Sequence, residues 1–140
     1  QPFFDLDIEI EIRENVTIDQ LFEQKGEGYF RALESESLNE IIKKETNFVI
    51  SVGGGTPCFY NNMELINQAG TSIYLKYNEG ILTSRLINAK VQRPLIKDLN
   101  ELELKIYITN KLAEREVYYK QSKFVVEGNN IKVEDLLNLL

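Results

Sequence analysis

Residues 47–57 read Asn47-Phe48-Val49-Ile50-Ser51-Val52-Gly53-Gly54-Gly55-Thr56-Pro57. β-branched and aromatic side chains suit a pleated, half-buried surface, and glycine with proline ends such a run, so the stretch predicts a strand feeding a glycine loop. Downstream, residues 61–69 closed by Gly70 predict a helix, and 72–76 another buried strand. Asn78 caps a helix with Ile81, Leu82 and Leu86 on one face; a helix carrying Leu102, Ile106, Ile108 and Leu112 runs to about Tyr118. A last strand, Phe124-Val125-Val126, turns at Gly128-Asn129-Asn130 into a closing helix with Leu136, Leu137, Leu139 and Leu140. Upstream, Pro2-Phe3-Phe4 is a short apolar entry followed by Asp5-Leu6-Asp7. Thr17 and Gln20 have capping-box spacing and start a helix that should end at Gly26; Phe30, Leu33, Leu38, Ile41 and Ile42 mark a second between Gly28 and Glu45. Strands separated by helices imply parallel pairing and right-handed crossovers, hence an α/β fold of three layers, α/β/α, around a parallel sheet.

The chain has 140 residues, 43% hydrophobic and 27% charged, the length and mix of a single globular domain. Its net charge of -6 argues against a sequence-independent grip on nucleic acid, so an anionic ligand must be held by a few well-placed cations. No apolar run reaches membrane-span length, and residues 1–20 carry acids where a signal peptide would be apolar, which predicts a cytoplasmic protein with no membrane partner. One cysteine, Cys58, and no histidine exclude an internal disulfide, a His-based triad and a His-containing zinc site.

In parallel sheets ligands gather beyond the carboxyl ends of the strands. Three strand ends carry distinctive residues, and they should converge: Asp5 and Asp7, the glycine triplet, and a basic, aperiodic segment from Ala89 to Asp98. From Asp7 to Arg13, charged residues alternate with Ile8, Ile10 and Ile12, which by period scores as a half-buried strand. If that backbone is extended, Asp5 and Asp7 leave one face and could hold a hydrated cation and orient a hydroxyl; alternatively one of them caps a helix. The glycines let the backbone approach a ligand and offer it N–H groups, though a mobile turn explains them equally well. Arg31 and Glu34, at i and i+3, are by default a surface ion pair; the alternative is that Glu34 holds the Arg31 fork toward a carboxylate. Arg93-Pro94-Leu95 is either a solvated loop or a lid that closes on phosphate oxygens. Arg115 by default serves the carboxyl end of its helix.

Together and in this order the pieces resemble shikimate kinase, over essentially all 140 residues. The motifs are Asp5-x-Asp7-x-x-Ile10-Glu11, Ile18-x-x-Leu21-Phe22-x-x-x-Gly26-Glu27-x-x-Phe30-Arg31-x-x-Glu34, the strand into Gly53-Gly54-Gly55, Arg93-Pro94-Leu95, and Arg115 ahead of Tyr118-Tyr119. The resemblance implies a P-loop, nucleoside-monophosphate-kinase-like fold in which residues 8–14 are helical after all, with a shikimate-binding part at about 8–45 and a lid at about 89–99. It implies magnesium-dependent transfer of the ATP γ-phosphoryl group to the 3-hydroxyl of shikimate, in the route to chorismate and the aromatic amino acids, by a monomer whose partners are shikimate and ATP. Asp7 would hold the acceptor hydroxyl and act as base. Asp5 would stand in the outer shell of Mg2+. Arg31, Gly53, Gly54, Gly55 and Arg115 would bind shikimate, with both arginines on its carboxylate, and Arg93 would reach the ATP phosphates. The region of Asn129 and Asn130 falls where the family contacts adenine.

The family begins with a strand, a Gly-x-x-x-x-Gly-Lys-Ser/Thr loop and a helix, and that motif does not occur within residues 1–140. The expectation is therefore a kinase domain lacking its first βα unit. A shikimate-binding module without ATP binding, and a related small-metabolite kinase, are the alternatives.

Overall fold

The computed structural model describes residues 1–89 and 96–140. They form two compact units, Gln1–Gly70 and Thr71–Leu140. The first runs β1 (Phe3–Asp5), α1 (Leu6–Glu14), α2 (Ile18–Lys44), β2 (Val49–Ser51), a 3-10 turn (Thr56–Cys58) and α3 (Asn62–Ala69). β1 and β2 pair in parallel, with Phe3 opposite Val49 and Asp5 opposite Ser51. The helices between them supply the crossover that parallel strands require.

The alternating stretch after β1 is helical, which corrects the strand reading. Asp5 Oδ1 accepts hydrogen bonds from the N–H groups of Asp7 (3.0 Å) and Ile8 (3.3 Å), an N-cap that commits the chain to a helix at Leu6. Asp7 and Glu9 sit in the first turn and Arg13 in the last, each complementing the helix dipole. Leu6 and Ile10, four apart, are fully buried, whereas Ile8 and Ile12 on the other face are exposed. Alternation of charge and isoleucine fits both periods, and burial of the i, i+4 pair against α2 decides between them.

The capping box of α2 forms as expected: Thr17 Oγ1 accepts from Gln20 N at 3.1 Å and Gln20 Oε1 from Thr17 N at 2.9 Å. Glu11 on α1 adds a third bond, accepting from Ile18 N at 2.9 Å. At Gly26 the backbone takes φ 83° and ψ 173°, breaking α2 where the sequence predicted a helix end. The core of this unit joins Leu6, Ile10, Leu21, Phe30, Leu33 and Leu38.

The second unit runs β3 (Ile73–Lys76), α4 (Glu79–Ala89), α5 (Glu101–Tyr119), β4 (Phe124–Glu127) and α6 (Val133–Leu137). β3 and β4 are parallel, from Ile73 opposite Phe124 to Lys76 opposite Glu127. Asn78 Oδ1 accepts from Ile81 N (2.8 Å) and Asn100 Oδ1 from Glu103 N (2.8 Å), starting α4 and α5. Ile96, Leu104 and Ile108 form its buried cluster. Tyr74 packs its ring on Tyr119 at 4.9 Å between centroids. Burial, and then the neighbouring Glu116 carboxylate, push its phenol up from 10.0 to about 12.

Gly26 occupies a region of backbone space that is essentially glycine's alone, so Gly26→Ala should cost about 1–3 kcal/mol of unfolding free energy in a denaturant titration. Tyr74 yields a pH dependence. Its folded pKa lies above the unfolded value of 10.0, so its contribution is complete below that pH and is lost on rising to about 12, as the unfolded chain releases the proton first. Stability measured from pH 10 to 12 should therefore fall less steeply in Tyr74→Phe than in the wild type.

Candidate functional site

β1 and β2 are parallel and in register, so their carboxyl ends lie at the same edge of the sheet. From that edge emerge Asp5, the first turn of α1 with Asp7, and the loop Gly53-Gly54-Gly55. A Cβ placed on Gly53 would lie 3.8 Å from Asp7 Oδ1, 3.6 Å from Glu34 Oε2 and 3.4 Å from Thr56 Oγ1. The strand ends thus meet the second half of α2, which brings Asp7, Gly53 and Glu34 around one small volume.

Arg31 and Glu34 do not form the surface pair that their spacing suggests by default: Arg31 is 6% exposed and Glu34 1%. Arg31 Nη1 donates to Glu34 Oε1 at 3.0 Å, while Nε and Nη2 both approach Glu27 Oε1 at 3.4 Å. Glu34 Oε2 accepts from Thr56 Oγ1 at 2.7 Å. The guanidinium also lies over the Phe59 ring at 4.6 Å and near that of Phe30 at 5.3 Å. The correction has a physical reason: i, i+3 spacing places two side chains on one helix face but does not say what covers that face, and here the glycine loop does. Burying a charge is costly unless it is paired and its remaining lone pairs are met, and both Glu34 oxygens are. With its Nε–H and one N–H on each terminal nitrogen engaged, the guanidinium keeps a second N–H on Nη1 and on Nη2. That is a fork of donors suited to a carboxylate.

Gly55 explains why the loop is glycine at that point. Its backbone is ordinary, φ -85° and ψ -21°, yet a Cβ there would land on the Arg31 guanidinium. Close approach, not a left-handed turn, sets the requirement.

Asp5 lies at the end of β1 with Oδ1 spent on the N-cap, so the picture of two acids leaving one face of an extended strand is replaced by a cap followed by a first-turn acid. Among the described residues no group of three His, Cys, Asp or Glu side chains could hold a metal ion. Arg93 lies outside the described residues, as does most of the basic segment. Arg115 is half-buried on α5 in the second unit, without a hydrogen bond or ion pair to a described residue. Asn129 Oδ1 accepts from Asn78 Nδ2 at 2.8 Å.

Three residues of the site escaped sequence reading. Thr56 follows the glycines and reads as part of the turn. Phe59 reads as loop. Asn62, within the helix predicted over 61–69, carries no sequence signal of its own; it is 1% exposed, its Nδ2 donating to Thr56 O at 2.9 Å and its Oδ1 accepting from Ser35 Oγ at 2.7 Å. Thr56 and Asn62 are buried by tertiary contact, which no local pattern announces.

Comparison with known proteins bears on the whole chain. A family model described as shikimate kinase matches residues 1–139. A shikimate kinase of Azobacteroides pseudotrichonymphae is 45% identical over 138 residues, covering 99% of this chain and 81% of its own. One from Flavobacterium johnsoniae is 43% identical over 144 residues, covering 99% and 84%. Among solved structures, a shikimate kinase from Bacteroides thetaiotaomicron matches with a TM-score of 0.89 at 37% identity, covering 99% of this chain and 81% of that one. A shikimate kinase from Acinetobacter baumannii in complex with shikimate matches with a TM-score of 0.87 at 28% identity, covering 99% and 75%.

The two outer glycines should respond differently to substitution. Gly55→Ala drives a methyl into the Arg31 guanidinium and is expected to lower unfolding free energy by about 1–3 kcal/mol, the usual cost of overpacking. Gly53→Ala meets only ordinary contact distances and should cost less than about 1 kcal/mol. Chemical denaturation of the two variants checks the difference.

Proposed function

The chain belongs to the shikimate kinase family, and on that footing we propose how its own residues serve the transfer of the ATP γ-phosphoryl group to the 3-hydroxyl of shikimate. It is an ATP-dependent kinase with the P-loop, nucleoside-monophosphate-kinase-like fold of its structural neighbours. Phosphoryl transfer asks little covalent chemistry of a protein; it asks for positioning and for charge placed where charge develops.

The buried Arg31 guanidinium against Gly55, at the same sheet edge as Asp7, is the observation that carries the reading. Arg31 offers its remaining N–H fork to the acceptor's carboxylate, and the backbone of Gly53, Gly54 and Gly55 admits the ring close to it. Asp7 then stands where it can hold the acceptor hydroxyl and take its proton as the phosphoryl group arrives. A Mg2+ ion fits the donor set only in the manner of an ion that keeps its waters and its phosphate ligands, since one or two carboxylates suffice for that mode. Asp5, with Oδ1 fixed by the cap and Oδ2 taking no hydrogen bond from a described residue, would face such an ion through water. When bound, the ion supplies neutralisation of phosphate charge. Arg93 and Arg115 keep their parts, on the phosphates and on the acceptor carboxylate, by family resemblance alone.

The phosphate lysine belongs to a motif that residues 1–140 do not contain, so we give none of these residues the part of the nucleotide cradle. The working form we propose is a monomer in the cytoplasm, where its co-substrate ATP is at hand. A chain that takes up shikimate in calorimetry and leaves ATP unbound would restrict the 140 residues to acceptor binding.

Arg31→Lys keeps the charge beside Glu34 but loses the planar fork. In the enzyme with its nucleotide site complete, it should raise KM for shikimate by about tenfold or more, the loss of one or two charge-assisted hydrogen bonds, and leave KM for ATP within about twofold. Steady-state kinetics with each substrate varied checks the split, and equal rises would contradict the role given to Arg31.

A further inference from the structure

We propose that Thr56 and Asn62 are positioning residues of the acceptor site: a buried relay from α3 through the 3-10 turn to Glu34 that sets the plane of the Arg31 guanidinium and so the preference for a carboxylated acceptor. The inference rests on the reading of Arg31 as the carboxylate's partner.

The relay is continuous. Ser35 Oγ on α2 donates to Asn62 Oδ1 at 2.7 Å; Asn62 Nδ2 on α3 donates to the Thr56 carbonyl at 2.9 Å. Thr56 Oγ1 donates to Glu34 Oε2 at 2.7 Å, and Glu34 Oε1 accepts from Arg31 Nη1 at 3.0 Å. Thr56 is fully buried, and Asn62 and Glu34 are each 1% exposed, so the inner bonds of the relay are shielded from solvent, while the Ser35 link is half-buried.

Glu34 has two oxygens and a flexible stem. Held at Oε1 alone, its carboxylate could rotate and carry the guanidinium with it. Thr56 fixes the second oxygen, and a carboxylate fixed at both oxygens has one orientation left. Thr56 in turn sits on a turn stiffened by Pro57, with its carbonyl claimed by Asn62. The last member, Arg31, has the Gly55 backbone against its face, so a small rotation of Glu34 changes where the free N–H fork points. Asn62 therefore acts on the acceptor without touching it.

A role confined to stability would weaken all ligands alike; a role in aiming the fork acts on the carboxylate. Calorimetric titration with shikimate and with its methyl ester separates the two. In Thr56→Val, which keeps the shape and loses the hydroxyl, shikimate affinity should fall about tenfold or more while methyl-ester affinity stays within about twofold; Thr56→Ser, which keeps the hydroxyl, should restore shikimate affinity to within about threefold of the wild type. Asn62→Asp, which replaces the N–H donor by an acceptor, should lose carboxylate preference in the same way. Should these buried variants fail to fold in a thermal melt, Ser35→Ala at the half-buried outer link is expected to show the same loss of preference, about threefold. Parallel loss of both ligands, or Thr56→Ser behaving as Thr56→Val, overturns the relay. So does retained carboxylate preference in every folded variant. Wild-type protein that binds shikimate beside variants that bind it equally well overturns this inference alone, whereas wild-type protein that binds neither ligand overturns it together with the reading of Arg31.

Discussion

A charged pair taken out of water holds the acceptor half of this protein in shape. Arg31 and Glu34 are close to fully buried, and moving either charge out of water is expensive unless the other is close and the leftover lone pairs are met. Thr56 meets the second oxygen of Glu34, which requires the 3-10 turn to lie against α2; that in turn requires the chain after β2 to run close over Arg31, which only a glycine at position 55 permits. The ion pair, the turn and the glycine are one constraint seen from three residues. Such a pair adds little net stability against an apolar replacement; on the proposed role of Arg31, its value would lie in a guanidinium whose position is decided before the substrate arrives.

The fold was legible where local chemistry dictates it. Thr17 with Gln20, Asn78, and Gly26 announce helix starts and a break through hydrogen bonds and dihedral freedom that belong to the residues themselves, and the structure places those features there. The β-branched run into the glycines is likewise self-declaring. The alternating stretch after β1 was ambiguous because residues 7–13 satisfy a period of two and a helical period at once. The decision came from Leu6 and Ile10 packing on α2, and from Asp5 as a cap, both of which need the partner in place.

The site was legible as a set of residue types and illegible as an arrangement. Asp7, Arg31 and the glycines could be named from the chain, but the burial of Arg31 and Glu34 could not, since an i, i+3 pair looks the same in water and under a loop. Thr56 and Asn62 carried no signal at all: a threonine after glycines and an amide at a helix start are ordinary turn and cap residues. They reach the Arg31–Glu34 pair only through the packing of α3 and the 3-10 turn on α2. Residues that touch through tertiary packing leave no periodicity to read.

An acidic chain that takes anionic substrates poses an electrostatic question, which the geometry answers. With a net charge of -6, the mean field of the protein repels a carboxylate and ATP alike, but at physiological ionic strength that field fades over about 8 Å. Charge around the Arg31 guanidinium is not favourable either, because two carboxylates, Glu27 and Glu34, pair with that one cation. What remains is direction. A guanidinium held by Glu34 and Glu27 and itself almost wholly buried presents N–H dipoles of fixed direction, and a hydrogen bond of the right geometry to them counts for more than the sum of nearby charges. With Arg31 read as the acceptor's partner, recognition by aimed donors in place of a positive field would let an acidic protein discriminate among acids by shape: an anion that could not place two oxygens on the fork would gain nothing from the charge behind it.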